Sequence, residues 1–144
     1  MTGELFPKIR PLGFGDIAEI LEIEEQAFPK TPYSKETLLF YAHRYPDTFV
    51  VVESDDEILG YIIFDLSGHI HSTAVRTGNR KKGLGSKLFM HALAHTEKGL
   101  WLEVRTRNDG AIAFYKRMGM HIIGKIPRYY ENDDALVMAL KHNL

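Results

Sequence analysis

The chain has 144 residues, 44% hydrophobic and 26% charged, with a formal net charge of −1, which suits one globular domain with a substantial core rather than a disordered chain or a basic nucleic-acid binder. It contains no cysteine, which excludes disulfides, thiolate metal sites and a cysteine nucleophile and fits a reducing, cytoplasmic setting. No apolar run approaches the roughly 20 residues that span a bilayer, and the N-terminus, charged at Glu4 and Lys8, does not read as a signal peptide.

The elements follow in chain order. Lys8-Ile9-Arg10 reads as a short strand closed by Pro11. Asp16 and Glu19 have capping-box spacing. Ile17, Ile20, Leu21 and Ile23 then recur at helical spacing, with Glu19, Glu22 and Glu25 on the outer face. Pro29 and Pro32 stop that helix and stiffen the loop from Phe28 to Tyr33. Ser34 caps a second helix to about Arg44. Thr48 to Glu53 and Ile58 to Phe64 read as an antiparallel hairpin turning through Asp55-Asp56. A central strand covers 69–76, and a basic, glycine-bearing turn, Arg80-Lys81-Lys82-Gly83-Leu84-Gly85-Ser86, opens a helix to about His95 that Gly99 ends.

Leu100 to Thr106 is a strand, Asn108 or Asp109 caps a helix stopped by Gly119, and His121 to Gly124 is a short strand. Tyr129-Tyr130-Glu131 leads through Asn132-Asp133-Asp134 to a last strand, Ala135 to Leu140. The order β-α-α-β-β-β-α-β-α-β-β predicts an α/β (α+β) fold, a mixed, mostly antiparallel sheet flanked by about four helices, and not a doubly wound nucleotide fold. No repeat or linker divides residues 1–144, so a single domain is expected, with its core over about 7–140.

The basic turn carries the first functional signal. Gly83 and Gly85 let backbone approach a ligand closely, and N–H groups at a helix start make an anion site. Arg80, Lys81 and Lys82 add positive charge. The turn lacks the Walker pattern, because Lys87 does not directly follow Gly85, so a nucleoside triphosphate is not the expected ligand. A plain solvated turn is the alternative.

Arg80-x-x-Gly83-x-Gly85 resembles the acetyl-CoA signature of the GNAT superfamily of N-acetyltransferases. Leu102-Glu103-Val104-Arg105, Asn108 and Ala111-Ile112-x-Phe114-Tyr115-x-x-x-Gly119-Met120 resemble that superfamily's second conserved block. Within it, Glu-Val-Arg with a downstream Asn and Tyr is similar to protein N-terminal (Nα) acetyltransferases, the group of the bacterial ribosomal-protein alanine acetyltransferase and the archaeal enzymes of broad specificity. Gly68-His69, Phe28-Pro29 and Tyr129-Tyr130 resemble the archaeal type. The resemblance implies an acetyl-CoA-dependent enzyme acting on a protein or peptide N-terminus; no metal is expected, nor a membrane role, and with the basic turn taken by pyrophosphate and a net charge of −1 no direct nucleic-acid role, and a monomer or weak homodimer is expected. It implies acetyl-CoA contacts at Thr73, Ala74, Val75, at Arg80 to Ser86, and at Asn108 and Tyr115.

The chemistry of acetyl transfer to an amine assigns further candidates. A developing oxyanion needs free backbone N–H groups, which Thr73 to Val75 supply if the central strand splays from the next. The amine must be neutral. A free α-amine titrates near about 8 and a lysine near about 10.4, so the α-amine needs less help. Glu103 and His69 are the candidates for that help, and Tyr115 is the candidate proton donor to the leaving thiolate. Glu103 shares a strand face with Trp101 and Arg105, and the alternative is that it merely pairs with Arg105 or another cation. His69 shares a face with His71, but no carboxylate sits at ligand spacing beside them, so no metal site is expected. Phe28, Pro29, Tyr33, Tyr129 and Tyr130 are the acceptor-binding candidates, while Glu24, Glu25, Glu131, Asp133 and Asp134 either attract an ammonium or are simply solvated. Other acceptors (lysine side chains, polyamines, small-molecule amines) and a silent acyl-CoA-binding module remain alternatives.

Overall fold

The computed structural model describes residues 7–79 and 83–142. Its elements are β1 (Lys8–Pro11), a 3-10 turn (Phe14–Asp16), α1 (Ile17–Ala27), α2 (Lys35–Arg44), β2 (Phe49–Ser54), β3 (Glu57–Phe64), β4 (Ile70–Val75), α3 (Leu84–Ala94), β5 (Gly99–Arg105), α4 (Asp109–Arg117), β6 (His121–Tyr130) and β7 (Asp133–Lys141). The predicted order holds. β1 to β4 make one antiparallel sheet in sequential order, and β5, β7 and β6 make a second with β7 in the middle. The mixed character is confined to one place. A parallel bridge joins His69 to Trp101, where Trp101 N–H donates to the Gly68 carbonyl at 2.9 Å. Beyond that bridge β4 and β5 part, and no ladder joins them among the described residues.

Period-2 alternation on β2 and β3 sorts the core into two layers. Val50, Val52, Leu59, Ile62 and Phe64 pack with Leu88, Phe89 and Ala92 of α3 on one face. Phe49, Val51, Ile58, Tyr61 and Ile63 pack with Ile17, Ile20 and Ile23 of α1 and Leu38 of α2 on the other. The sheet is therefore buried on both sides, which is why β3 from Ile58 onward is buried throughout.

Four sequence expectations are corrected. Asp16 makes no side-chain cap on α1. Its carboxylate instead accepts from Gly13 N–H at 2.7 Å and binds Arg10 at 2.7 Å, because the 3-10 turn before α1 and the neighbouring strand offer stronger partners. Gly99 does not end a helix: α3 stops at Ala94, and Gly99, at φ 109°, starts β5. β6 runs on to Tyr130, so the Tyr129-Tyr130 pair closes that strand rather than leading into the last one. Pro127 hides this in the sequence, but β6 is an edge strand whose register shifts between Ile126 and Tyr130, and an edge bulge tolerates a missing N–H. β7 accordingly starts earlier, at Asp133. By contrast Ser34 caps α2, accepting from Thr37 N–H at 3.1 Å, as expected.

The junction between the sheets depends on glycine. Gly68 has φ 98°, and a Cβ there would run into the carbonyl oxygen of Gly99. Gly78 has a similar φ of 94° but open space around it. Gly68→Ala is expected to cost about 2–4 kcal/mol, a Tm loss of roughly 5–10 °C, whereas Gly78→Ala should cost about 1 kcal/mol. Calorimetric unfolding checks this, and equal losses would show that the close approach at Gly68 is not what matters.

Candidate active site

Where β4 and β5 part, a cleft of about 730 Å³ opens. Residues 71–75 of β4 form one wall and 102–105 of β5 the other. Glu24, Phe28, Thr31 and Tyr33 close it from the α1 side, and Asn108, Tyr115 and Tyr130 from the β5 side. β4 pairs with β3, and among the described residues the edge it turns toward β5 has no strand partner past His69. That edge is the kind of free backbone from which N–H groups can face a carbonyl oxygen.

Glu103 and His69 meet at this parting. His69 Nε2 lies 2.7 Å from Glu103 Oε1, although the residues are 34 apart in sequence. Arg105, the alternative partner on the same strand, lies over the Tyr130 ring at 4.1 Å, and the partner that Glu103 meets across the junction is His69. His69 stacks flat on Trp101, with centroids 3.9 Å apart and planes 8° from parallel. Its neighbour His71, 4.3 Å away ring to ring, meets Asp65 Oδ2 at 2.9 Å through Nε2. The expectation that no carboxylate joins the two histidines is thus corrected. Asp65 reaches them because it stands in the β3–β4 turn, a position that strand spacing alone does not reveal. Burial lowers the His71 imidazole below its ordinary value despite Asp65. Burial alone would raise Asp65, but hydrogen bonds from Ser67, His71 and His69 N–H outweigh it and leave that carboxyl low.

A second polar network holds the opposite wall. Glu24 is 1% exposed, not solvated as an acidic helix residue usually is. It accepts from Tyr33 N–H at 2.8 Å and from the Tyr61 hydroxyl, which shares a 3.1 Å contact with Ser72 Oγ. Tyr33 donates in turn to the His71 carbonyl at 3.3 Å. One carboxylate therefore ties α1, the loop after it and β3 together, and fixes Phe28 and Tyr33 over the cleft. Burial, then the neighbouring Glu24, holds the Tyr61 phenol well above its ordinary value. Burial does the same for Tyr33 and Tyr115, and pushes Tyr130 up to about 12.

The remaining candidates divide. Phe28, Tyr33, Thr73, Ala74, Val75, Glu103, Asn108, Tyr115 and Tyr130 line the cleft together. His69 stands just behind it through Glu103. Pro29 and Tyr129 do not line it; Tyr129 is half-exposed and packs edge-on against Tyr130. Gly83, in the left-handed region at φ 78°, precedes the first turn of α3. Leu84 is buried in the core, so only its backbone faces outward, and Gly85 is small because Phe114 packs against it. Neither these nor Ser86 line the cleft. Arg80, Lys81 and Lys82 lie outside the described residues. Asn108 caps α4 by accepting from Ala111 N–H at 3.1 Å. Sequence reasoning missed Ser72 and Asp65 and undervalued Glu24. The signal available for Glu24 was its place beside Ile20 and Ile23 on the buried face of α1.

Comparison with known proteins agrees with this geometry. Residues 16–120 match the family described as the acetyltransferase (GNAT) family. An uncharacterized N-acetyltransferase of Methanocaldococcus jannaschii is 36% identical, the alignment covering 92% of this chain and 90% of that protein. An N-alpha-acetyltransferase of Sulfurisphaera tokodaii is 29% identical, covering 92% and 91%. The crystal structure of Ard1 from Thermoplasma volcanium matches with a TM-score of 0.85 at 26% identity, covering 96% of this chain and 99% of that one. A parted β4–β5 pair in this topology, matched nearly end to end by acetyltransferases, means that the chain belongs to the acetyltransferase (GNAT) family.

Proposed function

We propose that this acetyltransferase moves the acetyl group of acetyl-CoA onto the α-amino group of protein or peptide N-termini, by direct attack with both substrates bound. The observation that carries the reading is the Glu103–His69 contact at the parting of β4 and β5, the point where an amine entering past Phe28 and Tyr33 meets the free strand edge. The N-alpha-acetyltransferase relative supports the acceptor class.

The residues present fit acetyl-CoA. The free edge of β4 offers alternate N–H groups, at Thr73 and Val75, the start of α3 after Gly83 suits an anion, and Asn108 and Tyr115 stand on the β5 side of the same cleft. When bound, acetyl-CoA supplies an activated acyl group and a thiolate leaving group. The protein's part is proton handling. Glu103 takes the amine proton, directly or through a water, and His69 holds Glu103 in place by donating from Nε2 and can share the charge. Tyr115 gives a proton to the sulfur. Burial keeps its hydroxyl protonated across the neutral range, as a donor must be. The aromatic mouth of Phe28, Tyr33 and Tyr130 holds the start of an extended peptide.

Mass spectrometry of a mixed panel tests the acceptor: peptides beginning Ala, Ser, Met-Glu and Met-Leu, an Nα-blocked lysine peptide, and spermidine. Acetylation confined to free α-amines is expected; modification of the lysine peptide or spermidine instead would overturn the Nα reading. Glu103→Gln should lower kcat/KM by about 10²-fold at pH 7 and by less at pH 9, where more amine is already neutral. A loss independent of pH would reassign the base. Tyr115→Phe should lower kcat roughly 10–100-fold with the same profile from pH 6 to 9, because the lost hydroxyl does not titrate there. Unchanged turnover would remove its donor role.

A further inference from the structure

Asp65, His69 and His71 gather more coordinating power than amine deprotonation uses. Their ligating atoms lie within 4.8 Å of one another. Each is held stiffly. His69 stacks on Trp101, and His71 stacks on Tyr45 at 5.1 Å and leans on Tyr41 at 5.3 Å. Asp65 accepts through Oδ1 from Ser67 N–H at 2.9 Å and His69 N–H at 3.3 Å, which leaves Oδ2 aimed at His71. His69 also meets Glu103 at 2.7 Å through Nε2, so any ion that takes this nitrogen competes with that contact.

We propose that Asp65, His69 and His71 form a binding site for a divalent cation of the Zn²⁺ type, and that the bound ion suppresses acetyl transfer by drawing His69 away from Glu103. Two imidazoles with a carboxylate are a donor set for zinc and its neighbours, whereas Mg²⁺ and Ca²⁺ prefer oxygen alone. Tetrahedral zinc, with bonds of about 2.0–2.2 Å, sets its donors roughly 3.4 Å apart. The Asp65–His71 contact at 2.9 Å is already close to such an edge, and no separation in the cluster exceeds 4.8 Å, a gap that side-chain rotation can close. Backbone N–H groups on Asp65 and aromatic stacking on both rings orient the donors before any ion arrives, the supporting layer that metal sites need. Among the described residues both carboxylates, Asp65 and Glu103, pair with these imidazoles and with no guanidinium or ammonium, so a dication would answer charge there. Suppression rests on the role proposed for Glu103; the site itself does not.

The test uses the untagged full chain in chelator-free buffer. Calorimetric titration with ZnCl₂ should give one saturable site in the micromolar range. Co²⁺ should quench the fluorescence of Trp101, the sole tryptophan, because it stacks on His69, and EDTA should restore it. Asp65→Asn, which keeps an oxygen for the Ser67 and His69 N–H groups, and His71→Phe, which keeps the stacking, should each weaken Zn²⁺ binding at least about tenfold. His95→Ala, on the separate His91–His95 pair of α3, should leave it unchanged. Absence of saturable binding, or binding that survives both Asp65→Asn and His71→Phe, overturns the site. With the best acceptor from the peptide panel, Zn²⁺ should inhibit wild type over the range in which it binds and lose its effect in Asp65→Asn; binding without inhibition overturns the suppression. Binding and quenching are read without turnover, so failure of the proposed acceptor chemistry stays distinguishable from failure of the site.

Discussion

The cleft and the side chains gathered in it depend on the place where, among the described residues, the two sheets meet in one parallel bridge and then separate. Strands normally pair along their length because unpaired backbone is costly when buried. Here a single parallel bridge, His69 to Trp101, joins β4 to β5, and the strands then diverge. Two glycines at positive φ, Gly68 and Gly99, bring the backbones together at the junction. The divergence leaves a β4 edge free and opens the cleft between side chains distant in sequence. Glu103 meets His69 across this junction, and Trp101, two residues before Glu103, floors the same histidine. A conformational constraint at the junction thus becomes a chemical arrangement beyond it.

The parting needs support on its open side, and Glu24 provides it. A buried carboxylate is destabilising unless its oxygens are satisfied. Glu24 satisfies one oxygen with the loop backbone at Tyr33 and the other with Tyr61 from the centre of β3. Tyr61 continues to Ser72 on β4, and Tyr33 to the carbonyl of His71. The strand edge left free by the divergence is therefore braced from α1 through hydrogen bonds that lose their value if any partner is removed. On the other flank Arg76 spans from the end of β4 to the Ile58 carbonyl at 3.0 Å, with Glu19 and Glu22 of α1 beside it. Both ends of the open segment are tied to the same helix.

Much of this was legible in the sequence because it rests on local physics. The alternation of Leu102 and Val104 against Glu103 and Arg105 put the carboxylate on the right face of β5, and Ser34 and Asn108 marked their helix starts by the cap they form. The motifs around Gly83 and Asn108 carried the family. What escaped was long-range or contrary to local rules. Asp65 looks like an ordinary turn acid until β4 folds back and sets His71 against it. Glu24 looks like one more acid on an acidic helix until the loop covers it. Pro127 argues locally against a strand that survives because it is an edge with a bulge. Asp16 had cap spacing but found Arg10, a partner six residues away that no helix rule weighs.

The electrostatics of the cleft bear on the acceptor. Its tyrosines, Tyr33, Tyr115 and Tyr130, are all pushed upward by burial and stay neutral, so the hydroxyls donate hydrogen bonds without adding charge. The charged lining is mainly carboxylate, with Glu24, Glu103 and Glu131 against Arg105, and Arg105 is spread over the Tyr130 ring. Such a cleft attracts an ammonium, and the same attraction resists the loss of its proton. The site must therefore both draw the cation in and overcome that draw at the reacting atom. An α-ammonium starts about two pKa units below a lysine ammonium, a difference of roughly 3 kcal/mol in the cost of deprotonation. Of the two amines, the α-amine asks less of a single carboxylate–imidazole pair near neutral pH, and that smaller demand is the electrostatic support for the proposed acceptor class.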